Sequence, residues 1–264
     1  MSKIVRFRQD GAIRYGLLDE RDMLQVIDGD LFGEWQPTDE IVPMASIKLL
    51  APVDPPNLIA IGLNYRGHAQ EGNMAIPDLP AVFLKATTAV CGPGDDIVLP
   101  RIAPNEVDYE CELAIVIGKT ARNVSVSDAL DYVLGYTCCN DVSARDVQTR
   151  LDLQWARAKS FDTFAPLGPC IATDIDPTNA PIRTRLNGKV MQESNTNDLI
   201  FSCADVISFI SQCMTLLPGT VITTGTPSGV GFARKPPVFL RPGDVVEIEV
   251  DGIGVLRNRV IAEK

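Results

Sequence analysis

The run Val-Asp-Tyr-Glu-Cys-Glu-Leu-Ala-Ile-Val-Ile-Gly at residues 107–118 joins two glutamates to a continuous apolar stretch. Because side chains alternate faces along a strand, Glu110 and Glu112 point the same way and their immediate neighbours point the other way. Valine, isoleucine and leucine dominate the rest of the run. The pattern therefore predicts a strand of a buried sheet, with both carboxylates at its mouth.

Two carboxylates this close need a counter-charge, because like charges in a dry site cannot both stay ionised without one. A divalent cation would supply it, and Asp141 in the run Cys-Asn-Asp-Val is the third acidic candidate. With only oxygen donors in view, the ion should be hard. We expect Mg²⁺ or Mn²⁺, with Ca²⁺ as a third candidate, rather than zinc. The alternative is a solvated strand face.

The chain contains a single histidine, His68, within Gly-Leu-Asn-Tyr-Arg-Gly-His-Ala-Gln-Glu-Gly-Asn (62–73). Glu71 lies three residues on, which is one helical turn, so its carboxylate can orient the imidazole and raise its basicity. Such a pair can activate water. A surface histidine beside a surface glutamate is the alternative. The three glycines of the segment favour a short helical turn in a mobile lid.

A second polar constellation lies in Asn-Asp-Val-Ser-Ala-Arg-Asp-Val-Gln (140–148). If this stretch is helical, Asp141, Arg145 and Gln148 share one face, which is either solvated or lines a site. Lys159 follows among aromatic residues. A lysine near a metal and a substrate anion can stabilise developing negative charge, although a surface lysine is the competing interpretation.

The glycine-rich run Gly-Thr-Pro-Ser-Gly-Val-Gly (225–231) follows an apolar stretch. It lacks the Gly-Lys-Ser/Thr ending of a phosphate loop. The run instead predicts a tight turn that offers backbone N–H groups and the Thr226 hydroxyl to a carboxylate. A purely structural turn is the alternative.

These pieces, in this order, resemble the fumarylacetoacetate hydrolase family from about residue 55 to the C-terminus. Six motifs in register carry the resemblance: Asn-Tyr-x-x-His-Ala-x-Glu (64–71), Phe-x-Lys (83–85), Asp-Tyr-Glu-x-Glu-Leu (108–113), Asn-Asp-Val-Ser-Ala-Arg-Asp-x-Gln (140–148), Lys-Ser-Phe-Asp-Thr-Phe (159–164) and Thr-Gly-Thr-Pro-x-Gly-Val-Gly (224–231).

The resemblance implies a role for each matching residue. It implies metal ligands at Glu110, Glu112 and Asp141, and a water-activating dyad at His68 and Glu71. Lys159 corresponds to a catalytic lysine on the oxyanion side. The implied substrate contacts are Tyr65, Arg66, Lys85, Arg145, Gln148, Gly225 and Thr226.

One position departs from the longer hydrolases that cleave fumarylacetoacetate, which carry a further acidic ligand upstream of the histidine. Seven residues before His68 this chain has Ile61. The resemblance therefore implies a metal that keeps more water or substrate oxygen around it. It also argues against fumarylacetoacetate itself as the substrate.

Composition narrows the class of protein. The chain has 264 residues, of which 45% are hydrophobic, as in an ordinary globular protein. A net charge of −10 argues against nucleic acid and anionic membranes as partners. The seven cysteines are odd in number and form no Cys-x-x-Cys, which indicates reduced thiols. With no leader or apolar span in view, we expect a cytoplasmic protein.

The Pro-rich stretch at 51–57 predicts a boundary between a small N-terminal β domain at 1–54 and a catalytic domain at 55–264. Hairpins are predicted at Asp10-Gly11 and Asn187-Gly188, and a helix is predicted after Ser202. Strands dominate, which disfavours a parallel doubly wound sheet. We expect a β-rich α+β fold; the resemblance implies a mixed β-sandwich roll, commonly a homodimer.

The resemblance implies an enzyme acting on a small anionic keto acid. The favoured reaction is metal-dependent hydrolysis of a C–C bond in a 2,4-dioxo (acylpyruvate-type) carboxylate through a metal-bound pyruvate enolate, because both dyad members are present. Oxaloacetate decarboxylase and hydroxymuconate-type isomerase or decarboxylase are the alternatives on the same scaffold. A non-catalytic small-molecule binding protein is the alternative of a different class.

Overall fold

The computed structural model describes residues 2–264. The first five strands fill the N-terminal segment: β1 Lys3–Gln9, β2 Ala12–Leu18, β3 Met23–Gly29, β4 Trp35–Pro43 and β5 Lys48–Leu49. The next nine span the middle of the chain: β6 Leu58–Gly62, β7 Ala81–Lys85, β8 Val90–Cys91, β9 Asp96–Leu99, β10 Val107–Asp108, β11 Cys111–Ile117, β12 Val133–Asn140, β13 Ser143–Ala144 and β14 Ala165–Ala172. The last five are β15 Pro181–Leu186, β16 Lys189–Asn195, β17 Val221–Thr223, β18 Val245–Val250 and β19 Gly254–Ala262. Three α-helices join them: α1 Arg66–Glu71, α2 Ala156–Lys159 and α3 Cys203–Cys213.

Two large mixed sheets dominate the described residues. A 12-stranded sheet runs β4-β3-β2-β1-β14-β12-β11-β17-β6-β7, with β5 paired to β1 and β8 paired to β14. A 5-stranded sheet has the order β16-β15-β18-β19-β9, and β10 pairs with β13. Most pairings are antiparallel; β17 with β6, β14 with β8, and β19 with β9 are parallel. The prediction of a β-rich, mixed α+β fold is confirmed.

Both predicted hairpins are present. The residues of the Asp10-Gly11 turn have φ values of 49° and 84°, and those of the Asn187-Gly188 turn have 52° and 78°. Positive φ at both central positions is what a type I′ turn requires. Gln9 then pairs with Ala12 in the first hairpin.

Strand β11 lies in the middle of the large sheet, between β12 and β17, and all seven of its residues are buried. Because β11 and β12 are antiparallel, the start of β11 meets the end of β12, and Cys111 lies opposite Asn140. This register brings the acidic residues of the two strands to one edge of the core.

Two predicted helices have different outcomes. The helix after Ser202 is confirmed, because the Ser202 and Asp205 side chains form a reciprocal capping box at its start. The predicted helical face of Asp141, Arg145 and Gln148 is wrong for Asp141. Asp141 follows β12, and β13 then pairs with β10, so helical backbone does not include Asp141. Tertiary strand pairing overrides the local i, i+4 pattern there.

The large sheet continues across the Pro-rich stretch, because β1 pairs with β14 through Lys3 and Ala172. The domain division between residues 54 and 55 stays a prediction. All seven cysteines are free thiols. Among residues 2–264, none of the helices has the length and apolar character that a membrane span requires.

Candidate active site

Three buried carboxylates converge where β11 begins and β12 ends. Glu110 directly precedes β11, Glu112 is its second residue, and Asp141 directly follows β12. The Asp141 N–H donates to the Glu110 carbonyl oxygen over 2.9 Å, which fixes the two chain segments side by side. One oxygen from each of the three carboxylates lies within 4.8 Å of the others. The structure thus brings together the three residues that the sequence singled out.

Three cations surround this acidic trio. The Lys159 ammonium donates to Glu110 Oε2 at 2.5 Å and to Asp141 Oδ2 at 2.6 Å. Arg145 Nη2 lies 2.6 Å from Glu110 Oε1. The Lys85 ammonium donates to Asp141 Oδ1. Much of the counter-charge that the sequence argument assigned to a metal therefore comes from the chain itself.

The two glutamates differ in their pKa because they differ in their neighbours. Burial pushes the pKa of Glu110 upward, but the Arg145 and Lys159 charges outweigh it and hold that pKa below the usual glutamate range. Burial and the charges of Asp141 and Glu110 raise the pKa of Glu112 well above that range, and the Lys159 charge and the Gly225 N–H only partly offset them. The surroundings thus favour the ionised form of Glu110 and the protonated form of Glu112.

The trio fits a hard divalent cation. Its donors are all carboxylate oxygens, they are buried, and their separations permit a single ion to touch all three. The Lys159 ammonium, which bonds to both Glu110 and Asp141, would lie beside such an ion and would help to balance the charge of the carboxylates. The residues present could therefore hold a divalent metal.

His68 and Glu71 lie on the short helix α1, as the i, i+3 spacing predicts. The imidazole Nδ1 lies 3.5 Å from Glu71 Oε2, a close approach without hydrogen-bond geometry. The Glu71 carboxylate also accepts the Gly229 N–H, at 2.9 and 3.0 Å. Burial acts to raise the pKa of Glu71, but His68 and that N–H lower it on balance. Glu71 is thus an ionised, fixed partner for the imidazole.

The glycine-rich run at 225–231 donates backbone N–H groups to carboxylates. These carboxylates are side chains of the protein itself. Gly225 donates to Glu112 Oε2 at 2.8 Å, and Gly229 donates to Glu71. Gly225 has a φ of 96°, and a Cβ there would lie 2.8 Å from the Asn64 Cβ, so no other residue fits. Thr226 Oγ1 accepts the Gln192 amide at 2.8 Å, which leaves its own hydrogen free to donate.

One cavity of about 540 Å³ contains most of these groups. The acidic trio, both dyad residues and Lys159 line it, and so do Arg145, Gln148 and Thr226. Arg145 Nη1 donates to Gln148 Oε1 at 2.8 Å, so these two residues meet; helical backbone begins at Arg145, after Asp141. The rest of the wall is mostly apolar and includes Leu63, Met74, Phe83, Trp155, Val230 and Phe232.

Four residues that the resemblance implies as substrate contacts lie outside this cavity wall. Lys85 is buried behind Asp141 and also donates to the Phe164 carbonyl at 2.9 Å. Tyr65 is fully buried. Arg66 donates to the Leu199 carbonyl, and Gly225 donates to Glu112. Each is correspondingly placed to support the site rather than to touch a ligand.

Sequence reasoning missed two residues that hold the site together. Asp108 accepts from Arg145 Nε at 2.9 Å and from the Gly231 N–H at 2.8 Å. The alternation that grouped Glu110 with Glu112 also places Asp108 on their face, so this signal was present. Gln192 binds the Cys111 N–H at 3.0 Å as well as Thr226, and no local pattern marks it.

Comparison with known proteins extends over nearly the whole chain. The model of the fumarylacetoacetate (FAA) hydrolase C-terminal family matches residues 57–261, and the model called Rv2993c-like, N-terminal matches residues 2–52. The mitochondrial oxaloacetate tautomerase Fahd2a of Rattus norvegicus is 46% identical over 225 residues, which cover 84% of this chain and 72% of that protein.

Two solved structures share the fold. A 2-hydroxyhepta-2,4-diene-1,7-dioate isomerase from Mycobacterium marinum has a TM-score of 0.89 and 39% identity, with 100% of this chain and 99% of that chain covered. A fumarylacetoacetate hydrolase from Exiguobacterium antarcticum has a TM-score of 0.90 and 36% identity, with 100% of both chains covered. The family model, the fold and the identities agree: this chain belongs to the fumarylacetoacetate hydrolase family.

Proposed function

We propose that this protein is a divalent-metal-dependent isomerase that moves a proton on a 2-oxo carboxylic acid, as in keto–enol tautomerisation. The observation that carries the proposal is that His68 and Glu71 line the same cavity as Glu110, Glu112 and Asp141. A metal held by these three carboxylates would polarise the keto oxygen of the acid and so acidify the neighbouring carbon. The dyad supplies a base within the same space.

His68 is the group that takes and returns the proton. Its Nδ1 faces the ionised Glu71 carboxylate, so Nε2 is left to accept a proton from the substrate carbon and to deliver it again. Glu71 stabilises the imidazolium that forms in between, and its bonds from Gly229 keep it in place. Proton transfer out and back requires no attacking water.

Lys159 and the cavity wall assist this transfer. The buried Lys159 ammonium places a positive charge beside Glu110 and Asp141, where negative charge develops on the substrate oxygen. Thr226 has a hydroxyl hydrogen free to bind the substrate carboxylate. The apolar side chains of Phe83 and Trp155, whose rings meet edge to face at 5.5 Å, limit the water that reaches the base.

Two of the three proteins compared support isomerisation over the C–C hydrolysis that the sequence alone favoured; the third, 36% identical, is named a hydrolase. The rat relative is named an oxaloacetate tautomerase and the Mycobacterium marinum structure a dioate isomerase. Both names describe rearrangement of an oxo or enol acid without loss of a fragment. At 46% and 39% identity, these are the chemistries that we carry over to this chain.

Hydrolysis of an acylpyruvate is the second candidate, and the size of the cavity favours it. About 540 Å³ leaves space for an acyl substituent and a water molecule beside a 2-oxo acid. The same His68–Glu71 pair could then deprotonate that water. The metal site and the dyad would serve either reaction.

A substrate screen with product analysis separates the two candidates. Oxaloacetate, muconate-type diacids and acylpyruvates would each be incubated with the protein and Mg²⁺ or Mn²⁺, and the products followed by NMR. We expect faster interconversion of tautomers or double-bond isomers, with the carbon skeleton intact. Accumulation of pyruvate and a free acid from acylpyruvates, with no isomerisation of any substrate, would contradict the proposal.

A further inference from the structure

The helix that carries His68 begins without a cap of its own. Tyr65 precedes α1 in an extended conformation, and its side chain makes no capping hydrogen bond. The first N–H groups of a helix have no partner within it and need an acceptor from elsewhere. Here Gly67, the second residue of α1, donates its N–H to Asp198 Oδ2 at 2.8 Å. Asp198 lies 131 residues away in the chain.

Two residues just before His68 also contact the segment that contains Asp198. Arg66 Nη1 donates to the carbonyl oxygens of Asp198 and Leu199, at 3.2 and 2.5 Å. Tyr65 forms an isolated antiparallel bridge with Leu199. The start of α1 is therefore held by the Asp198 carboxylate, by the two carbonyl oxygens that accept from the Arg66 side chain, and by the backbone bridge of Tyr65 to Leu199.

The carboxylate of Asp198 fits closely against α1. A Cβ at Gly67 would lie 3.2 Å from Asp198 Oδ2 and 3.5 Å from Ser228 Oγ, so the glycine gives the carboxylate room to reach the backbone. Within the described residues, the wall of the cavity does not include Asp198. Its side chain therefore acts on the helix and has no contact with a ligand in the cavity.

We infer that Asp198 is a positioning residue for His68: its carboxylate fixes the first turn of α1 and thereby the place of the imidazole relative to the acidic trio. The Gly229 N–H, bound to Glu71, fixes the other end of the same helix. The effect on turnover rests on the proposed proton transfer by His68. The effect on the surroundings of the imidazole does not.

The size of the effect follows from geometry. A displacement of about 1 Å in a catalytic group can lower the rate ~10²-fold. Asp198→Ala removes the acceptor, so we expect kcat to fall on the order of 10- to 100-fold with little change in KM. Asp198→Asn keeps a carbonyl oxygen that can accept the Gly67 N–H, so it should restore most of the rate. Asn197→Ala, at the exposed neighbouring position, is the matched control and should behave as the wild type.

A second readout does not depend on activity. Because His68 is the single histidine of the chain, NMR signals from isotope-labelled histidine report on that imidazole alone. We expect the imidazole signals of Asp198→Ala to shift and broaden at constant pH, while those of Asp198→Asn and Asn197→Ala match the wild type. The melting temperature of each variant shows whether it is folded.

Each outcome decides the inference. Wild-type imidazole signals in folded Asp198→Ala protein would overturn it, and so would a wild-type kcat. If Asp198→Ala does not fold, Asp198→Ser, whose hydroxyl is too short to span the same bond, takes its place with the same expected shift. A chain that isomerises no 2-oxo acid would contradict the proposed function alone, because the NMR comparison would still stand.

Discussion

The Glu71 carboxylate receives the Gly229 backbone N–H on both of its oxygens, at 2.9 and 3.0 Å. This contact joins the helix that carries His68 to the glycine-rich run at 225–231. The same run donates from Gly225 to Glu112. One loop therefore fixes a carboxylate of the dyad and a carboxylate of the acidic trio, which sets the two parts of the site relative to each other.

This link leads to a prediction about ligand binding. Residues 62–73 are held at their C-terminal end by the Glu71–Gly229 contact, and we expect this segment to tighten over a bound ligand while the contact persists. Oxalate, a mimic of an enolised 2-oxo acid, should increase the hydrogen-exchange protection of this segment at saturating Mg²⁺. Residues 203–211 of helix α3, most of which are buried and none of which is exposed, serve as the internal control. Equal protection of 62–73 with and without oxalate would rule out closure.

A second prediction concerns the metal. Glu110→Ala should weaken Mg²⁺ or Mn²⁺ binding by more than the ~10- to 100-fold that loss of an outer partner typically causes. The fold should persist, because Arg145 keeps Asp108 and Lys159 keeps Asp141 as partners. Calorimetry measures the affinity and circular dichroism measures the fold.

Glu106→Gln is the matched control for the Glu110 variant. Glu106 precedes the same strand run but pairs with the exposed Arg150 at 2.8 Å, so metal binding should not change. Wild-type metal affinity in Glu110→Ala protein, or full activity in the presence of a chelator, would show that the acidic trio does not hold a catalytic metal.

The raised pKa of Glu112 leads to a prediction about pH. Burial and the charges of Asp141 and Glu110 favour the protonated form of this carboxyl in the metal-free protein and raise its pKa well above the usual glutamate range. A metal requires the carboxylate, so binding should release a proton, and affinity should rise as the pH rises toward the raised pKa. Calorimetry in buffers of different protonation enthalpy measures the released proton.

The raised pKa also makes the stability of the metal-free protein depend on pH, in the opposite direction to the metal affinity. Unfolded Glu112 ionises at its ordinary pKa, whereas folded Glu112 keeps its proton up to the raised pKa. The free energy of unfolding should therefore fall as the pH rises between these two pKa values. Glu112→Gln should lack this contribution. A pH dependence identical in the wild type and in Glu112→Gln, with no proton released on metal binding, would contradict the assignment.

Local signals predicted the elements that local chemistry determines. The Asp10-Gly11 and Asn187-Gly188 turns require positive φ, and Ser202 with Asp205 caps α3, so these features can be derived from a few adjacent residues. The stretch at 140–148 could not be derived that way. Pairing of β13 with β10, which lie far apart in the chain, decides its backbone and overrides the helical spacing.

The candidate site likewise contains residues that local patterns predict and residues whose role only the folded chain shows. Strand alternation placed Glu110 and Glu112 together, and helical spacing placed His68 beside Glu71. Two supports of the site, Gln192 and Asp198, were not predicted, because their partners are distant in the chain. Gln192 reaches Cys111 across 81 residues, and Asp198 reaches Gly67 across 131 residues. Only the folded chain shows such contacts.

The central claim is that the His68–Glu71 dyad moves a proton on a 2-oxo acid, and isotope exchange tests it most directly. Oxaloacetate would be incubated in D₂O with the Mg²⁺-loaded protein, and deuterium entering the carbon next to the keto group followed by NMR. We expect the wild type to accelerate exchange without cleaving the carbon chain, His68→Ala to lose ~10²- to 10⁴-fold, and Glu71→Gln to be slowed with little change in metal affinity. Exchange at the wild-type rate in both variants, or cleavage without exchange in the wild type, would contradict the account.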